Sequence, residues 1–223
     1  MVDATEALFP RPVTLKGRYA HLTPIASKRH SEELFGQVAT REHDHVWTYL
    51  FDGPFDDRDA FTGYLARLET SVDPVCFSIV DAATGRAAGL CKLMRIEPRH
   101  RVVEVGGILF AESLQRTRGA TEAMYLLARH VFEDLGYRRY EWKCNSLNEP
   151  SRRAALRLGF TFEGIFRQHM IIKGHSRDTA WYAMIDSEWP ERKREFERWL
   201  APDNFDERGV QRSPLTMPAT RTL

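Results

Sequence analysis

The run Gln115-Arg116-Thr117-Arg118-Gly119-Ala120 stands between an apolar segment that ends at Phe110 and the most regular helical stripe of the chain. The first amides of a helix lack intrahelical acceptors and lie at the positive end of its dipole. Arg116 and Arg118 add full charge, so the loop from Gln115 through Thr117, Gly119 and Ala120 to Thr121 suits a diphosphate. The same residues also make an ordinary surface connection with two solvated arginines. Glu104 lies upstream among Val102, Val103 and Val105, where a carboxylate either takes a proton from a nucleophile or points to water from a strand edge. Downstream, Asn148-Glu149-Pro150-Ser151 has the order of a helix start, with Asn148 as cap and Pro150 in the first turn. His43, His45, Trp47 and Tyr49 crowd one short segment. As a metal site His43-x-His45 lacks a third ligand at suitable spacing, so no metal is expected.

The elements that position these residues follow from periodicity. Residues 13–22 read as a strand and 28–38 as a helix, and a segment over 43–50 leads to a second helix over 56–68 with Phe61, Tyr64, Leu65 and Leu68 at helical spacing, so the first third is mostly helical after one strand. Three strands over 75–81, 87–96 and 102–110 are joined by short turns, which implies an antiparallel meander. A helix over 120–135 carries Ala123, Met124, Leu127 and Val131 on one stripe, and Gly136 stops it. Residues 138–144 alternate, with Tyr140, Trp142 and Cys144 on one side and Arg139, Glu141 and Lys143 on a face expected to be wet. A short helix from Asn148 to Gly159, strands over 160–173 and 177–186, and a charged helix over 188–200 complete the pattern. The step from strand 102–110 through a helix to strand 138–144 demands a parallel pair with a crossover. Function is therefore sought there. The expected organisation is an N-terminal arm over 1–12, one domain over 13–200 and a C-terminal tail over 201–223 rich in Pro and Gly.

Composition bounds the partners. The chain has 223 residues, 43% hydrophobic and 28% charged, values at which a single domain folds without staples. Lys and Arg number 32 against 31 Asp and Glu, so no global field draws in nucleic acid or an anionic membrane, and any polyanion site must be local. Cys76, Cys91 and Cys144 have no CxxC spacing and read as reduced packing thiols. No segment approaches the roughly 20 apolar residues of a membrane helix, and a cytoplasmic location is expected. Neither GxxxxGK[ST] nor GxGxxG occurs, which removes the common nucleotide loops.

Taken together, the Gln115 to Ala120 loop, the continuation Ala120-Thr121-Glu122-Ala123, and Asn148 to Ser151 followed by Leu158-Gly159-Phe160 resemble the GNAT superfamily of N-acetyltransferases, in its RimJ/RimL-like branch. The resemblance covers roughly 13–187. It implies an α+β, GNAT-like fold: a mixed, mostly antiparallel central sheet with one parallel strand pair splayed around a coenzyme A site and helices on both faces. It implies acetyl-CoA as cosubstrate, the loop amides on its diphosphate, the backbone of Ile108, Leu109 and Phe110 on pantetheine, and Asn148 and Ser151 facing the same arm. By the same resemblance Glu104 is the base, and His43, Trp47, Tyr49, Arg95 and Trp142 line the acceptor site, although most of these aromatics also read as core. Two positions depart from the family pattern. Arg118 stands where its first loop glycine is expected, and Ala155 stands where many members carry a tyrosine acid, leaving Ser151, water or direct thiolate departure. The acceptor implied is a small-molecule amine or a protein N-terminus, and a homodimer is left open. The alternative is a GNAT-fold module that senses acyl-CoA without turning it over.

Overall fold

In the computed structural model, which describes residues 4–218, the strand expected over 13–22 is broken into β1 (Leu15–Lys16) and β2 (Ala20–Pro24). The break has a cause 100 residues away in sequence. The buried Glu122 carboxylate accepts the backbone N–H groups of Arg18 (2.9 Å), Tyr19 (2.5 Å) and Ala20 (2.8 Å), and three donors on one side chain hold the turn. Next come α1 (Ser27–Val38), a 3-10 stretch (Arg41–Trp47) and α2 (Arg58–Glu69), capped by Asp57, whose carboxylate accepts from Ala60 N–H. The meander is β3 (Val75–Asp81), β4 (Ala87–Glu97) and β5 (Val102–Phe110).

Helix α3 (Arg118–Arg129) leads into a wide π-helical turn (His130–Asp134), so the helix expected over 120–135 changes pitch in its last turn. Strand β6 (Arg139–Asn145), α4 (Glu149–Arg157), the hairpin β7 (Thr161–Ile172) and β8 (His175–Ile185), and α5 (Trp189–Leu200) follow. The sheet order is β1-β2-β3-β4-β5-β6-β8-β7, with β5 and β6 parallel and the other neighbours antiparallel. This is the mixed, mostly antiparallel α+β sheet expected.

Strand pleating sends alternate residues to two cores. On β3, Val75, Phe77 and Ile79 join α3 and α5 on one face, while Cys76 and Val80 join α1 and α2 on the other. Burying the apolar faces of both helix layers is the main stabilising term. The described parts of the two ends lie against the domain. Ala7 N–H donates to Pro98 O and Leu8 N–H to Leu135 O. Beyond α5 the chain turns through Pro202–Asn204, buries Phe205, and pairs it with Gln211. Of the expected arm and tail, residues 1–3 and 219–223 lie outside the described residues.

Candidate active site

Parallel pairing of β5 with β6 runs from Val102 opposite Arg139 to Val105 opposite Trp142 and then stops. One extra residue enters β5 there, because Lys92 of β4 pairs with Gly106 while Leu90 pairs with Leu109. Gly107 takes φ +54°, and a Cβ on it would lie 2.7 Å from Lys92 Cδ, so a side chain is excluded twice over. The bulge bends β5 away from β6 and opens a cleft of about 1540 Å³ between them. Six arginines and two lysines line that cleft against two carboxylates, Asp52 and Glu104. A chain of formal charge +1 therefore concentrates cations at one place, as a local polyanion site requires.

At one end stands the start of α3. Thr117 caps it, its Oγ1 accepting from Ala120 N–H at 3.1 Å, and Thr121 N–H reaches Thr117 O at 3.4 Å. Among the described residues the amides of Arg116, Arg118 and Gly119 have no acceptor, and Arg116 takes φ +61°. The Arg118 side chain does not crowd this turn. It lies over the rings of Tyr19 (4.3 Å) and Phe205 (5.4 Å), a cation held between two aromatic faces. The position that departs from the family's glycine thus keeps its amide free. Arg157 of α4 donates to Thr121 Oγ1 at 3.1 Å, lies over Trp199 at 5.1 Å, and has its pKa lowered by burial. Gln115 turns back to Phe110 O, 3.0 Å away, and closes the strand end. Gly119 is buried and lends only its backbone.

The other end is organised by an ion-pair ladder. Glu104 Oε2 receives Arg95 Nη1 (2.7 Å) and Lys143 Nζ (2.9 Å), and Lys143 also meets Glu141 Oε2 (2.6 Å). Arg139 continues the ladder to Glu141 and Glu163. Arg95, Lys143 and Arg139 balance Glu104, Glu141 and Glu163, so the ladder is neutral. The face of β6 expected to be wet is covered: the Glu141 and Lys143 side chains are 9% and 6% exposed, and Lys143 Nζ lies 3.9 Å from the Trp181 ring centroid. The side chains of flanking strands shield it, with Trp181 of β8 opposite Lys143 and Glu104 of β5 opposite Glu141, which local alternation does not reveal. Burial alone would push the Glu141 pKa up, but hydrogen bonds from Lys143 and Arg139 outweigh it and hold the carboxyl below its usual range. Glu104 is 3% exposed, and its Oε1 lies toward Gly106, where a built Cβ would approach it to 3.4 Å. A second pair, Lys92 with Asp52 at 3.4 Å, lies under the loop after the 3-10 stretch.

Between the two ends, Ile108, Leu109 and Phe110 line the cleft wall along β5, with Asn148 and Ser151 opposite on α4. The Asn148 side chain caps its helix by accepting from Ser151 N–H, and Ser151 Oγ accepts from Trp142 Nε1 at 3.0 Å. Burial raises the Cys144 thiol pKa, a shift that the Ser151 hydroxyl opposes. Tyr49, expected at the acceptor site, lines the cleft.

Trp47 does not line the acceptor end. It is wholly buried, donates to Val38 O, and packs edge-on against Phe55, Phe61 and Tyr64, so the substrate contact expected of it is replaced by a core role. His43 likewise turns to Thr40 Oγ1 at 2.8 Å, and His45 faces the cleft instead. Arg95 acts on Glu104 and is not part of the cleft lining. The sequence reading missed Lys92, Arg157 and Arg177. Arg177 is 6% exposed, lines the cleft, and has its pKa lowered by burial. Among the described residues no group of three or more His, Cys, Asp or Glu could hold a metal ion, and no helix is long and apolar enough to cross a membrane.

Comparison with known proteins places this geometry. Residues 21–161 match the family described as acetyltransferase (GNAT) domain. A ribosomal-protein-serine acetyltransferase of Escherichia coli (strain K12) is 34% identical over 101 residues, covering 45% of this chain and 56% of that relative. The chain thus spans little more than half the length of the curated relative it matches. A solved GCN5-related N-acetyltransferase from Brucella melitensis superposes with TM-score 0.92 at 45% identity, covering 95% of this chain and 96% of the other. A probable acetyltransferase (GNAT family) from Chromobacterium violaceum ATCC 12472 does so with TM-score 0.77 at 37% identity, over 83% and 92% of the two chains.

Proposed function

This chain belongs to the acetyltransferase (GNAT) family, and on that premise we propose that it transfers an acetyl group from acetyl-CoA to a primary amine of a small molecule or a protein N-terminus. One observation carries the reading: a single cleft joins unpartnered helix-start amides to a carboxylate, across a break between two parallel strands. The amides of Arg116, Arg118 and Gly119, with Arg157 beside them, suit the cosubstrate's diphosphate. The wall from Ile108 to Phe110 and Asn148 and Ser151 line the same cleft, where the pantetheine arm would lie.

An amine is mostly protonated at neutral pH and must lose a proton before it attacks. Glu104 Oε1, directly or through water, takes that proton, while Arg95 and Lys143 hold Oε2 and fix the carboxylate. Attack of the neutral nitrogen on the thioester carbonyl forms the C–N bond and breaks the C–S bond. The nitrogen's second proton goes to solvent, and the thiolate is protonated by water. Ala155 is fully buried where a tyrosine acid would stand, and a thiol pKa near 8.5, that of a free cysteine, lets the sulfur leave without one. Action on a ribosomal protein, which the name of the E. coli relative states for that protein, fits this reading, and so does a cytoplasmic location.

Ala155 also favours a second reading, a module that binds acyl-CoA and does not turn it over. Thiol release from acetyl-CoA across a panel of amines, aminoglycosides and peptide N-termini, with each product weighed by mass spectrometry, separates the two. Mass gain on an amine supports transfer. A raised Tm with acetyl-CoA and no thiol release across the panel supports the module.

A further inference from the structure

Among the described residues, the acceptor end of the cleft holds one cation without a counterion. Lys92 is paired with Asp52, and the Arg95, Lys143 and Arg139 cations are balanced within the ladder. Arg177, on β8, has neither kind of partner. Its Nε donates to Thr179 Oγ1 at 3.2 Å, its guanidinium lies over Phe51 at 5.1 Å, and among the described residues neither Nη meets a protein acceptor. The residue is nonetheless 94% buried, and it lines the cleft. Thr179 is in turn hydrogen-bonded to His169 Nδ1 at 3.0 Å, which fixes the hydroxyl that holds Arg177.

Taking a guanidinium out of water without an anion is strongly unfavourable, and such a charge survives where a ligand completes it. A guanidinium offers two parallel N–H groups in the geometry of a carboxylate or phosphate. Phe51 covers one face of the planar group and Thr179 fixes its edge, so the open direction is the cleft. Glu104 lines the same cleft as Arg177, so the lone cation and the carboxylate assigned to the acceptor amine face one cavity.

We propose that Arg177 reads an oxyanion on the acceptor, so that the substrates are amines carrying a carboxylate or phosphate near the reacting nitrogen. Glu104 takes the ammonium end and Arg177 the anionic end. This rests on the transferase reading for the identity of the amine as acceptor, but the anion site itself is testable without turnover.

The full chain is saturated with coenzyme A, so that the cationic cofactor end is filled. It is then titrated with β-alanine against β-alaninamide, and with O-phosphoethanolamine against ethanolamine, following Tm and tryptophan fluorescence. In the wild type the anionic member of at least one pair binds roughly 10- to 100-fold more tightly than its neutral partner, the range of a charge-assisted hydrogen-bonded pair. The β-alanine arm reports a carboxylate and the O-phosphoethanolamine arm a phosphate. In Arg177→Met the ratio falls to about one and coenzyme A affinity is unchanged, while Arg177→Lys keeps part of the preference. Removing an unpaired buried cation costs no stability, so Arg177→Met without ligands melts no lower than the wild type. Equal binding within both pairs, no binding of any of the four probes, a preference that survives in Arg177→Met, or a variant that melts several degrees lower overturns the proposal. Absence of thiol release with the anionic preference intact counts against the transferase reading alone.

Discussion

Replacing Glu122 tests whether the family-like Ala-Thr-Glu-Ala segment is structural rather than a cosubstrate contact. Its carboxylate is 6% exposed and accepts three backbone N–H groups of the turn between β1 and β2, at 2.5–2.9 Å. In Glu122→Gln the side-chain carbonyl can still face Tyr19 and Ala20, but the NH2 then meets the Arg18 N–H and every bond loses its charge. That costs about 2–3 kcal/mol. Glu122→Ala leaves all three donors unanswered and costs about 3–5 kcal/mol. In a chain of this size each kcal/mol moves Tm by about 2–4 °C, so the Ala variant melts roughly 6–20 °C lower and the Gln variant lies between. The turn also holds Tyr19 under Arg118, so the cofactor end loosens with it. Calorimetry of the three proteins decides: an Ala variant within about 2 °C of the wild type refutes the assignment.

Three further outcomes follow from the same geometry. Glu104→Gln lowers kcat by about 10²-fold or more while leaving the KM for acetyl-CoA within about threefold, the range of general-base loss, and steady-state kinetics checks it. Phe205→Ala removes one of the two rings that hold Arg118 and weakens coenzyme A binding severalfold by titration calorimetry, with acceptor KM unchanged. His30 is buried, its Nδ1 accepts from Ala26 N–H and lies 2.6 Å from Ser78 Oγ, and burial lowers its pKa. Because the unfolded imidazole takes up its proton near pH 6.5, stability falls as pH drops below about 6.5 toward the lower folded value. His30→Asn keeps an acceptor without titrating and flattens the dependence of Tm on pH between 7 and 5.

Much of this was legible in the chain itself, for a physical reason: helix stripes and strand alternation are local. The meander, the crossover and the two helix starts could be placed because each carries its own pattern, as Asn148 does by capping its helix. What escaped depends on contacts between distant segments. Nothing near Gly17 announces that Glu122 will break the first strand, and nothing in 139–145 shows that Trp181 and Glu104 of the flanking strands will shield Lys143. Trp47, read as an acceptor contact, is drawn into the α2 layer by Phe55, Phe61 and Tyr64, aromatics that a cleft would leave wet. Arg177 was silent because an arginine opening a strand looks solvated until its partners are counted.

The most direct test is a crystal structure with acetyl-CoA bound. The account predicts diphosphate oxygens within hydrogen-bond reach of the Arg116, Arg118 and Gly119 amides, and the thioester in the gap where β5 leaves β6, beside Glu104. A diphosphate held away from the start of α3, or a gap that stays closed to the thioester, contradicts it.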